Sequence, residues 1–371
     1  MSDRNHRICI LVVLVVFLQP LAGCGSSVSG TPGSEKLSAH ENEDITIEDR
    51  VKEKALSESF DMGLARLTMV RHLEDKLGEG KPFVYPTSLA LSEEGQIYIS
   101  DNNAHKVYSY SPKTDSFNDL TLSNIGSSLS WPTIMRVKGE NLFVLDTKGI
   151  KVFALDGSFR RLLKTFYQIN DFVVRTERGF YLNPSFRKPK QSDPLVVGLS
   201  EEGTKIQSFG ARLNREEHAG LEDVAWLCST EDRIFVVFRY RPKAEIFSLA
   251  GELIQSFDIN HAIFKELIPI SEIREYTNPG PGKYRLPGFV AGACVIGDRL
   301  LVLLDLPQPE IIEFNFAGIE TNRYRGNVSP AAKAYHGFDA RLVGDKYQFW
   351  MLVRSRTSLL TLWECSGQKT K

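Results

Sequence analysis

The sequence predicts an all-β chain, a six-bladed β-propeller with four-stranded blades and a ring closed by an N-terminal strand. Three observations predict it. Short runs rich in β-branched and aromatic residues alternate with Gly, Pro and Asn/Asp turn signals. The same strand-and-turn plan recurs along most of residues 65–366, as propellers require. The last copy lacks an outermost strand, while a spare strand stands before the first copy.

The first unit sets the pattern. Pro86 opens a strand over Ser88–Leu91, Ser92-Glu93-Glu94-Gly95 turns, Gln96–Ser100 returns, Asp101-Asn102-Asn103 breaks, and Lys106–Tyr110 follows before a turn at Pro112–Asp115. A second unit opens at Trp131-Pro132-Thr133, close to the Tyr85-Pro86-Thr87 of the first. Further units begin at Phe172, Val224, Val290 and Phe338. The sixth ends after Ser358–Cys365, and Ala65–Leu73 is the strand expected to complete it. Closing the ring with both ends of the chain removes the free edges that invite aggregation.

The 371 residues are 42% hydrophobic and 25% charged, with a formal net charge of −1. This is ordinary globular composition. It lacks the basic excess of a general nucleic-acid binder, so no nucleic-acid partner is expected.

The chain begins with a targeting signal. Arg4 and Arg7 precede the apolar run Ile8–Phe17, which is far shorter than the roughly 20 residues of a spanning helix. Leu21-Ala22-Gly23-Cys24 then reads as a cleavage site and resembles the lipobox of bacterial lipoproteins. That resemblance implies cleavage before Cys24, lipid on its thiol and acylation of the new amine. Gly25 in place of Asp implies sorting to the outer membrane. The organisation expected is a signal peptide over 1–23, a flexible lipid-anchored tether over 24–61, and the propeller over 62–368. Ile45–Ser57 has the composition of a short charged helix. The localisation expected is the bacterial cell envelope.

The motif Tyr85-Pro86…Ile97-Tyr98-Ile99-Ser100-Asp101…Lys106-Val107 resembles an NHL repeat, and the chain resembles the six-bladed NHL-type propeller lipoproteins of bacteria. Some six-bladed families are enzymes. Gluconolactonase-like propellers hold a central metal with carboxylate and Asn/Asp ligands on inner strands. Here those strands are mostly apolar or small, with Arg136 and Arg175 as exceptions. Asp223 and Asp339 lie near strand starts and are weak metal candidates without a histidine or asparagine partner. Streptogramin-lyase-like propellers need a histidine base. His336 precedes an inner strand, and His218 and His261 fall in connecting loops, but no spacing supports a catalytic role. No catalytic residue is assigned.

Asp101, Asp146 and Asp305 recur at the end of the second strand, with Asn183 in the third unit. Recurrence at one place in a repeat points to turn chemistry, in which short polar side chains bond nearby backbone N–H groups. Cys228 and Cys294 fall at equivalent inner-strand positions and read as small core residues, and with Cys365 they are expected to form no disulfide.

Loops between second and third strands are basic: His105, Lys106, Lys148, Arg187, Lys188, Arg239, Arg241, Arg354 and Arg356, with Tyr240 among them. A basic face concentrates an anionic partner. His261–Pro287 is a long inter-blade insertion, with helical spacing over Ala262–Glu275, expected to rim that face. The favoured reading is a monomeric, lipid-anchored scaffold presenting this face to a protein, peptide or acidic glycan. It needs no cofactor, with room for Ca²⁺ or another divalent metal in the channel. The alternative is a metal-dependent lactonase- or lyase-like enzyme using the channel mouth.

Overall fold

The structure is a computed structural model. It describes residues 65–73, 83–120, 128–165, 167–175, 179–186, 190–212, 222–265, 288–306, 308–327, 334–354 and 359–366. The chain divides into units Met1–Asp44 and Ile45–Lys371, and every described residue belongs to the second. The signal segment, the tether and the Ile45–Ser57 helix expectation lie outside the described residues.

Six antiparallel sheets form the blades, with inner strands Pro86–Leu91, Ile134–Lys138, Gln168–Arg175, Ala225–Ser229, Val290–Ile296 and Ala334–Val343. We number these blades I to VI. Adjacent inner strands pack against one another around the whole ring, blade VI against blade I included. Each junction between neighbouring blades holds its own apolar cluster.

The alternation of strand side chains explains these clusters. In the second strand of blade V, Leu300, Val302 and Leu304 face the junction with blade IV. Leu301 and Leu303 face the junction with blade VI. A strand buried on both sides must be apolar throughout, which is why it reads RLLVLL. Each fully buried leucine contributes about 1.5–3 kcal/mol. The blades also approach closely. A Cβ on Gly292 of blade V would stand 2.6 Å from Cβ of Phe338 in blade VI.

The recurring Asp and Asn side chains do the expected turn work. Asp101 accepts the N–H groups of Val84 (2.6 Å), Tyr85 (2.9 Å) and Ala104 (3.0 Å). Asp146 accepts those of Ser130 (3.2 Å) and Lys148 (2.8 Å) and pairs with buried Lys151 at 2.7 Å. Asn183 accepts the Ala225 N–H at 3.2 Å. These side chains fasten each incoming inter-blade segment to the blade it leaves or enters.

The N-terminal strand closes the ring, and it does so in two pieces. Ala65–Arg66 adds in parallel to the outermost strand of blade V. Thr68–Leu73 pairs antiparallel with Leu359–Ser366 as the fourth strand of blade VI. Leu67 is the hinge between them, 2% exposed, with its N–H on the Arg325 carbonyl at 2.9 Å. The continuous strand over Ala65–Leu73 is thus corrected. One strand cannot follow two blades that rotate away from each other, so it breaks where it crosses. In the long insertion, the described part is a 3-10 turn over Ala262–Lys265, and the rest of the helical expectation lies outside the described residues.

Candidate functional site in the central channel

The inner strands carry the ionisable side chains Arg136, Asp171, Asp339, Cys228 and Cys294. Arg136 forks onto Asp171, its Nη2 lying 2.6 and 2.8 Å from the two carboxylate oxygens. Arg136 Nη1 also donates to the Met135 carbonyl at 3.0 Å. The Asp171 side chain is 0% exposed, whereas that of Arg136 keeps 26% open. Asp171 further accepts the N–H groups of Phe172 (2.8 Å) and, across the blade junction, Leu227 (2.7 Å). Burial pushes the Asp171 carboxyl up, and Arg136 with the two N–H groups opposes that push. The result is a fixed, partly neutralised guanidinium on the channel wall.

Asp339 repeats this stapling at the junction of blades VI and I. Its carboxylate accepts the Leu91 N–H at 3.0 Å and the Ala340 N–H at 2.9 Å. Taken whole, Asp339 is half-buried, and protein surrounds its carboxyl group. Loss of water raises its pKa to about 6, against the opposing pull of the two N–H groups and of Arg136. A carboxylate that changes charge near neutral pH is a candidate proton-handling group.

Cys228 and Cys294 hold equivalent places in the hairpins of blades IV and V, and both are free thiols. Burial, the largest cause, raises both thiols well above their ordinary range. They are therefore neutral at physiological pH and poor nucleophiles.

A cavity of about 240 Å³ opens where the inner strands of blades II to V end, on the face of the first-to-second turns. Lys138, Arg175, Ser229 and Glu231 supply its polar groups, and Val174 and Val295 its apolar walls.

The donors do not fit a divalent cation. Both Asp171 oxygens lie in the Arg136 fork, and both Asp339 oxygens accept backbone N–H groups. Among the described residues, no three His, Cys, Asp or Glu side chains form a metal-holding group. The two weak metal candidates are not brought together. Asp223 sits near the junction of blades III and IV, 3.6 Å from Arg212 and 3.3 Å from Arg241, so two guanidinium groups already balance it.

The basic loops are less available than their sequence suggests. Lys106 is tied to Asp119. Arg241 lies 3.6 Å over the Phe238 ring and pairs with Asp223. Arg239 stands between Trp226 (5.7 Å) and Tyr240 (5.3 Å). Lys148 is exposed. His105, in the left-handed region at φ 56°, accepts the Trp131 N–H on Nδ1 at 3.0 Å, and Trp131 itself has φ 58°. Arg187, Lys188 and Arg356, and the side chains of Arg354 and His336, lie outside the described residues. Asp171 escaped the sequence reading because Asn170-Asp171 resembles a turn, whereas the strand runs Gln168–Arg175. The bulge between Ile169 and Asp171 is what admits polar residues there.

No family model matches this sequence, and no curated protein matches it. Solved structures do match. Calcium-binding regucalcin from Agrobacterium tumefaciens is 9% identical, covering 83% of this chain and 98% of that one, with a TM-score of 0.50. A luciferin-regenerating enzyme is 8% identical, covering 80% and 98%, with a TM-score of 0.51. A gluconolactonase from Xanthomonas campestris is 13% identical, covering 82% and 97%, with a TM-score of 0.46. At these identities the likeness is one of fold, and the chain shares the six-bladed propeller of the regucalcin-like structures.

Proposed function

We propose that this protein is an enzyme acting on a small molecule in the channel, with Asp339 as the general base. The observation that carries the reading is a carboxylate with a pKa of about 6, on a half-buried inner-strand residue and close enough to feel the Arg136 guanidinium. Similarity of fold to a propeller named as a luciferin-regenerating enzyme agrees with it. The reaction class is hydrolysis of a small cyclic ester. Asp339 takes a proton from water as its oxygen adds to the ester carbonyl; the ring C–O bond then breaks, and Asp339 returns that proton to the departing alkoxide. Arg136, held by Asp171, sets its positive charge beside the oxygen that becomes negative.

The test uses the detergent-solubilised full chain and a panel of five- and six-membered lactones, followed with a pH indicator. Turnover should fall as pH drops through about 6, because the base works only when ionised. Asp339→Asn should reduce the rate about 10²–10⁴-fold. No turnover of any lactone, together with binding of an acidic glycan or peptide that depends on Trp131, would move the function to the rim. Trp131 is 52% exposed and T-stacked on His105 at 5.2 Å, which is what favours this second reading.

We further propose that the propeller is tethered to the outer membrane through Cys24, on the support of the Leu21-Ala22-Gly23-Cys24 box. Radiolabelled palmitate should label the parent chain in bacteria, and Cys24→Ala should abolish the label and release the protein from the membrane fraction. Labelling of the variant would defeat the assignment.

A further inference from the structure

We infer that the channel mouth on the face of the first-to-second turns is a binding site for a small organic acid. The inference shares with the proposed function the premise that ligands use the channel, and it names their class. Four successive inner strands end at this mouth. Blade II contributes Lys138, blade III Arg175, blade IV Ser229 and Glu231, and blade V Val295. Lys138 is exposed and Arg175 half-buried. Neither has an ion-pair partner among the described residues, whereas Arg136 and Arg241 are each matched with an aspartate. Two cations from neighbouring blades at one cavity, with no counter-charge among the described residues, attract an anion.

The cations also continue inward. Lys138 follows Arg136 by two residues, so both side chains leave the same face of the strand, about 7 Å apart along it. An anion held at the mouth therefore has a third cation below it, the Arg136 guanidinium paired with Asp171. Beyond that lies Asp339, which would repel a second negative group and suits the neutral, reacting end of a ligand. Glu231 is exposed and not ion-paired with either cation, so it is left to accept a hydroxyl or amine of the occupant.

The cavity sets the size. At about 240 Å³ it falls below the roughly 300–1,000 Å³ of a site for a drug-sized molecule. Val174 and Val295 line it with short apolar walls. A compact carbon skeleton ending in a carboxylate fits these walls better than a bare inorganic ion, which would leave them in contact with water.

The experiment is calorimetric titration of the detergent-solubilised full chain with malonate, citrate and inorganic phosphate at constant ionic strength, with glycerol as the neutral control. Malonate or citrate should bind, phosphate at least several-fold more weakly, and glycerol not at all. Lys138→Ala and Arg175→Ala should each weaken binding up to about tenfold, and the double variant should abolish it. Both positions are open to solvent, and circular dichroism checks that the variants fold. Absence of carboxylate binding to the parent, equal affinity for phosphate, or undiminished binding by the double variant each overturns the inference. Asp339→Asn separates the two readings. Retained carboxylate affinity in that variant, with no turnover found in the parent for any lactone, defeats the proposed reaction and leaves the anion site standing. Asp339-dependent turnover indifferent to Lys138 and Arg175 does the reverse.

Discussion

Asp171→Ala should destabilise the protein by about 3–5 kcal/mol, the usual cost of removing one partner from a buried charge pair. Three groups lose their acceptor at once: the Arg136 fork and the N–H groups of Phe172 and Leu227. The Leu227 bond crosses a blade junction, so the loss weakens the ring as well as blade III. Arg136 is partly open and can rehydrate from the channel, which places the effect toward the lower end of the range. Against a total stability of about 5–15 kcal/mol for a typical domain, this is still a large fraction. Arg136→Met should act differently. It leaves Asp171 buried without its counter-charge, and burial then holds the folded pKa above the unfolded one. The folded state of that variant binds more protons, so its stability falls as pH rises from the unfolded value toward the raised folded one. Urea melts at pH 5 and pH 8 read both effects. A loss under about 1 kcal/mol for Asp171→Ala, or a pH-independent Arg136→Met, would show that the pair is incidental to the fold.

Removing residues 1–73 should have an effect at least as large. That segment completes blade VI, adds to blade V and reaches blade I, where Arg71 donates to the Tyr110 hydroxyl at 2.7 Å. Leu67 and Leu73 are 2% and 4% exposed, and each contributes about 1.5–3 kcal/mol on burial. Their loss, with that of the strand's ladder bonds, approaches the total stability of an ordinary domain. The deletion also bares Leu359–Ser366 as an unpaired edge beside Leu360, Leu362 and Trp363. The shortened chain should melt far below the parent or associate through that edge. Size-exclusion chromatography with thermal melting tells these apart. A monomeric 74–371 chain melting within a few degrees of the parent would mean that the ring holds without its N-terminal strand.

Most of the architecture was legible because propeller folding is largely local. Each hairpin joins neighbouring strands through a short turn, and glycines such as Gly203 and Gly251, at φ +86° and +89°, mark those turns directly. The candidate site was less legible. Arg136 and Arg175 stood out as charges on apolar strands, but nothing near them in the sequence names Asp171 or Asp339 as companions. Those companions come from other blades, 35 residues away for Asp171. Pairing in the basic loops was not legible for the same reason: Lys106 finds Asp119, and Arg241 finds Asp223, only once the strands are paired.

By itself, then, the sequence determined the blades, their number and the strand that closes them, because turn chemistry and period-two alternation act between near neighbours. Only the tertiary structure decided which charges are matched and which stay open, because that depends on where the ring sets side chains from different blades. Asp171 cancels Arg136, Asp223 cancels Arg241, and Lys138 and Arg175 have no ion-pair partner among the described residues at the mouth of the channel.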